Sequence, residues 1–124
     1  MALSHNPRIV TDGLVLCLDA ANPKSYPGSG TTWFDLSGNG NHGPVVNGVG
    51  YDAENLGSMT FDGVDDYVVI EDNDLFSPYG DGSQNAEVTV SVWAEITDLD
   101  PSVRRTFLGR AEDGGEAEYI LYQD

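Results

Sequence analysis

The chain has one cysteine, two histidines and only five lysines and arginines in 124 residues. Each scarcity excludes something. With Cys17 alone, no intrachain disulfide can form. His5 and His42 are too few and too isolated for a zinc site or a serine triad. Twenty-one acidic residues against five basic ones leave a net charge of −16, so the surface repels nucleic acid and anionic membranes. No apolar run approaches the roughly 20 residues of a membrane-spanning helix. The N-terminus lacks the basic segment and apolar stretch that direct secretion, so synthesis in the cytoplasm is expected.

What is abundant is glycine, proline and aromatic side chains: fifteen Gly, six Pro, six Tyr, four Phe and two Trp. Long helices host Gly and Pro poorly, so the composition predicts a single all-β domain rich in turns. The charge is uneven. Residues 1–51 carry a net −1 and residues 52–124 a net −15. That excess suits solubility in crowded or salty surroundings, or cation binding.

Along the chain, residues 1–9 are polar and contain Pro7, which predicts an N-terminal arm. The apolar run Leu14–Leu18 predicts a strand buried on both faces, with Cys17 an inert buried thiol. A single helical turn fits near Ala20–Lys24. Asn47-Gly48 and Asp62-Gly63 signal turns, the first of hairpin type. Ser58–Phe61 and Tyr67–Ile70 are predicted to be extended. The strongest strand pattern is Glu87–Ile96: Val88, Val90, Val92, Ala94 and Ile96 share one face, while Thr89, Ser91, Trp93 and Glu95 share the other. Trp93 is then a core residue or a subunit contact. Arg104–Arg110 and Glu118–Tyr122 predict a last hairpin around Asp113-Gly114-Gly115.

The stretch Trp33-Phe34-Asp35-Leu36-Ser37-Gly38-Asn39-Gly40-Asn41-His42-Gly43 runs from an aromatic pair into a loop of Gly, Asn and Ser. Together with Gly13–Ala20, Phe61-Asp62-Gly63-Val64-Asp65-Asp66-Tyr67-Val68 and Val88–Trp93, it resembles the laminin-G-like, concanavalin-A-like lectin/glucanase superfamily. The likeness is in particular to the form found in phage and bacterial surface proteins. Ser4–Gly13 is similar to the start of tailed-phage structural proteins that carry such a domain. The resemblance covers about residues 9–124 and implies a two-sheet antiparallel jelly-roll sandwich over residues 10–124. Domains of this kind usually run past 150 residues, so the sandwich is expected to be small or completed by strands from a neighbouring subunit.

Three chemistries compete for the loops. Glucanases of the superfamily alternate two Glu and an Asp along one strand. Here Glu95 and Asp98 face opposite sides, Asp72 and Asp74 lie in a loop with Glu71, and Glu116 with Glu118 lacks a third partner, so no catalytic residues and no enzyme activity are expected. Calcium needs six to eight oxygens, and Asp35, Asn39, Asn41, Asp62, Asp65 and Asp66 supply suitable ones, although no EF-hand spacing is present; no cofactor is required, and Ca²⁺ is the candidate ion. Sugar sites stack a pyranose on an aromatic ring beside amides and carboxylates; Trp33, Tyr51 and Tyr79 with Asn39 and Asn41 are the candidates. Trp33 and Phe34 also suit core plugs, and every loop named also suits a structural turn.

The expected function is a non-enzymatic virion structural protein, decorating a capsid or associated with a tail, on the virion surface. It would dock on other virion proteins and on copies of itself. A carbohydrate-binding module for host-surface glycans is the alternative.

Overall fold

The computed structural model describes residues 9–72, 74–76, 87–97, 105–111 and 117–123. The predicted arm at residues 1–8, Tyr79 and the Asp113-Gly114-Gly115 turn lie outside them. Among the described residues the chain is all-β, with seven strands, two single 3-10 turns (Glu54–Leu56 and Asp74–Phe76) and no α-helix. It forms two compact units, Met1–Asn73 and Asp74–Asp124.

In the first unit, β1 (Thr32–Trp33), β2 (Gly43–Val46) and β5 (Tyr67–Val68) form an antiparallel sheet with β2 in the middle. Trp33 lies opposite Gly43, and Val45 opposite Val68. A Cβ added at Gly43 would stand 2.8 Å from Ile70 Cδ1 and closer still to Val68 Cγ1, so a side chain at the centre of this sheet would force those two side chains to shift. β3 (Gly50–Asp52) and β4 (Ser58–Thr60) pair separately, Tyr51 opposite Met59.

Both predicted turns form. Asn47 and Gly48 take positive φ of 65° and 104°, and Gly63 takes 74°. Neither turn closes a hairpin, because the strands flanking each belong to different sheets. The Asn-Gly signal reports the local φ demand, whereas strand pairing is decided by which apolar faces meet.

The buried centre of this unit is small. Tyr26 is 3 % exposed, and its ring lies 5.2 Å from that of Tyr51 at a 46° tilt. Its hydroxyl donates to the Gly30 carbonyl at 3.0 Å, and the Tyr51 hydroxyl to the Ala20 carbonyl at 3.3 Å. Ser25, fully buried, donates its hydroxyl to the Phe34 carbonyl at 2.6 Å and accepts the Asp19 amide at 3.0 Å. Residues 19–26 form successive turns, and the one at Asn22, whose carbonyl accepts the Ser25 and Tyr26 amides at 2.8 and 2.9 Å, is a single helical turn displaced slightly from the one anticipated near Ala20–Lys24.

Leu14–Leu18 is half-buried and belongs to no strand ladder among the described residues, where its apolar run predicts a strand buried on both faces. Its polar groups are taken up elsewhere. The carbonyls of Leu14, Val15 and Cys17 and the amide of Cys17 bond to residues 35–41. Side chains of a loop stand where a neighbouring strand would.

In the second unit, β6 (Arg105–Ala111) and β7 (Ala117–Gln123) form the predicted last hairpin, with register running from Arg105 opposite Gln123 to Ala111 opposite Ala117. Glu87–Ile96 differs from its prediction: it has no ladder partner among the described residues. Val88, Val90 and Val92 are exposed, and Trp93 is 99 % exposed. An alternating pattern specifies which side chains share a face; it does not supply the strand that pairs alongside.

Candidate functional site

The loop after β1 is built around one carboxylate. Asp35 is 8 % exposed, and both its oxygens accept protein donors. Oδ1 takes the amides of Cys17 at 2.9 Å and Ser37 at 2.8 Å. Oδ2 takes the Ser37 hydroxyl at 2.6 Å and the Asn41 amide at 3.1 Å. Burial pushes the Asp35 carboxyl up, but the hydroxyl and amide of Ser37 and the amides of Cys17 and Asn41 outweigh it and hold the group below the ordinary carboxylate value. Charge-assisted bonds of this kind are the strong ones.

The loop's amides extend the network. Asn39 Nδ2 reaches the carbonyls of Leu14 at 2.9 Å and Val15 at 3.2 Å, and Ser37 Oγ at 3.0 Å. Asn41 Nδ2 donates to Val15 at 2.9 Å. Ser37 Oγ also lies 3.0 Å from the Val15 carbonyl, but its single proton goes to the nearer carboxylate. The Asp35 amide donates to Nδ1 of His42 at 3.0 Å, which leaves the proton of that ring on Nε2. The His42 ring also meets Phe34 edge-on, centroids 5.2 Å apart. These contacts fold the loop onto Leu14–Leu18, and they commit both oxygens of Asp35 to protein donors rather than to an ion.

The Cys17 thiol is shifted upward by burial and then by the Asp19 and Asp35 carboxylates. A thiol held protonated in this way is a poor nucleophile.

The second loop gathers Asp62, Asp65 and Asp66, with one oxygen of each within 4.8 Å of the others. Asp62 Oδ1 accepts the amides of Val64 at 2.8 Å and Asp65 at 3.3 Å, and Asp66 Oδ2 accepts the Asp62 amide at 3.0 Å. The Val64 amide is the main cause that lowers the exposed Asp62 carboxyl. Asp66 Oδ1 is buried and has no hydrogen-bond partner among the described residues. Of the sequence-predicted calcium ligands, these three carboxylates are brought together. One oxygen from each supplies three of the six to eight that Ca²⁺ takes.

The described sugar candidates each have contacts of their own. Trp33 lies half-buried in β1, its indole N–H buried without an acceptor among the described residues. Tyr51 packs on Tyr26. Asn39 and Asn41 are committed through their amide nitrogens to Leu14 and Val15. The residues that sequence reasoning passed over are Ser25, Ser37 and His42. Ser37 carried a signal: an Asp two residues ahead of a Ser is the spacing at which a carboxylate caps a local amide. Ser25 and His42 carried none, since their partners are brought close only by folding.

In comparisons with known proteins, no family model, curated protein or solved structure matches the chain.

Proposed function

We propose that the chain is a non-enzymatic structural protein of a virus particle, decorating a capsid or associated with a tail, and that it works by protein–protein docking. The observation that carries this is Glu87–Ile96, an alternating segment without a ladder partner among the described residues, with Trp93 99 % exposed and Val88, Val90 and Val92 exposed on the other face. Unpaired strand edges recruit extended partners, and large exposed apolar groups mark docking surfaces. The likeness of four ordered sequence blocks to laminin-G-like and concanavalin-A-like domains supports a two-sheet jelly roll as the finished architecture, with neighbouring copies or other virion proteins supplying what covers this segment. The strongly acidic charge of residues 52–124 supports a place on the virion surface, where it keeps particles dispersed.

The test is incorporation into particles. Wild-type chain is expected to co-purify with assembled virions at fixed stoichiometry, and Trp93→Ser to be lost from them while staying folded in solution. Wild-type chain that remains free of particles overturns the proposal. Specific glycan binding on an array, abolished by Trp33→Ala, would replace docking with host adhesion.

A further inference from the structure

Two Asn-Gly pairs occur in the chain, Asn39-Gly40 and Asn47-Gly48, and folding treats them differently. We propose that Asn47 is a spontaneous modification site, at which the side-chain amide converts to aspartate and isoaspartate, while Asn39 is protected by the fold. The reacting groups are adjacent. The backbone nitrogen of Gly48 gives its proton to solvent base and bonds to Cγ of Asn47. The bond from Cγ to Nδ2 breaks, and the amide nitrogen takes up a proton and leaves as ammonia. The resulting cyclic imide adds one water at either carbonyl and opens, giving aspartate or isoaspartate. Water is the only co-reactant, and nothing is oxidised or reduced.

A glycine on the C-terminal side favours this step because no side chain shields its nitrogen. Both residues of the pair stand exposed in a turn at positive φ, 65° at Asn47 and 104° at Gly48. The departing amide is anchored by a hydrogen bond from Nδ2 to the Asp65 carbonyl at 2.7 Å. Asn39 is exposed too, but its Nδ2 reaches Leu14, Val15 and Ser37 at 2.9, 3.2 and 3.0 Å, and its backbone amide donates to Ser37 Oγ at 3.2 Å. Attack at Asn39 requires the loop to leave Leu14 and Val15; attack at Asn47 requires the bond to Asp65 to open.

The product has a structural consequence. A carboxylate cannot donate to the Asp65 carbonyl, and the new negative charge arises beside Asp66, whose Oδ1 lies 3.9 Å from where a Gly48 Cβ would stand. Conversion therefore releases the 47–48 turn from the 62–66 loop.

The experiment is peptide mapping by mass spectrometry, with aspartate and isoaspartate peptides separated, on the full chain aged at mildly alkaline pH in native buffer and in urea. In native buffer Asn47 is expected to convert roughly tenfold faster than Asn39, the effect of one to two additional hydrogen bonds of ordinary net strength. In urea the two rates should converge. Equal native rates, a rate ratio that urea leaves unchanged, or no native conversion at Asn47 while the denatured chain converts would each overturn the proposal.

Discussion

The carboxylate of Asp35 accepts the backbone amide of Cys17 at 2.9 Å, joining residues eighteen positions apart. With Ser37 and Asn41 on its remaining lone pairs, this one side chain ties the Gly/Asn loop to the apolar run before it. Both oxygens of this carboxylate are taken up by protein donors.

Replacing Asp35 by Asn removes the charge and one acceptor oxygen while leaving buried donors unmet. Hydrogen bonds to charged groups contribute about 1.5–3 kcal/mol. Asp35→Asn is therefore expected to lower unfolding stability by roughly 2–3 kcal/mol, read as a shift in the chemical-denaturation midpoint. An unchanged midpoint would mean that the four bonds contribute nothing net.

Acid should undo the same network. Because the Asp35 carboxyl is lower in the folded chain than its unfolded value of about 3.9, its contribution is fully present above that pH and is lost as pH falls through the folded value. Stability measured from neutral pH downward should hold nearly level to about pH 5 and fall below about pH 4. In Asp35→Asn this acid limb should flatten. Asp62 shifts the same way but is exposed, so Asp62→Asn should alter the profile much less.

Gly43→Ala tests the centre of the first sheet. The added methyl meets the side chains of Val68 and Ile70, and forced overpacking of this kind costs about 1–3 kcal/mol. A thermal or denaturant midpoint equal to wild type would show that β2 and the chain after β5 leave room for a methyl group.

Cys17 should resist thiol reagents. Its thiol is held protonated by burial and by two nearby carboxylates, so alkylation in the native chain should run several-fold slower than in the denatured chain at the same pH. Equal rates would contradict both the burial and the charge environment.

Several features are legible in the amino-acid sequence, each for a local reason. Asn47-Gly48 and Asp62-Gly63 announce their turns because positive φ is a property of the residues themselves. The β6–β7 pairing is legible because two extended patterns flank the sequence Asp113-Gly114-Gly115. The gathering of Asp62, Asp65 and Asp66 follows from their nearness in sequence. Leu14–Leu18 misleads because its apolar run says nothing of what satisfies its backbone, and Asn39 and Asn41 do so from more than twenty residues away. Glu87–Ile96 misleads in the opposite sense: its alternation is clear, but pairing needs an edge that the segment does not contain.

By itself, then, the amino-acid sequence determined the class of this protein: all-β, turn-rich, strongly acidic, without an intrachain disulfide. Those follow from composition and from φ preferences that act within a few residues. Only the tertiary structure decided that Asp35 is a hub rather than an open ligand, that the amide of Asn39 reaches Leu14, Val15 and Ser37 while that of Asn47 reaches Asp65, and that Trp93 stands in solvent. Each of these depends on which distant donor, acceptor or apolar face arrives beside a residue, and folding sets that arrival.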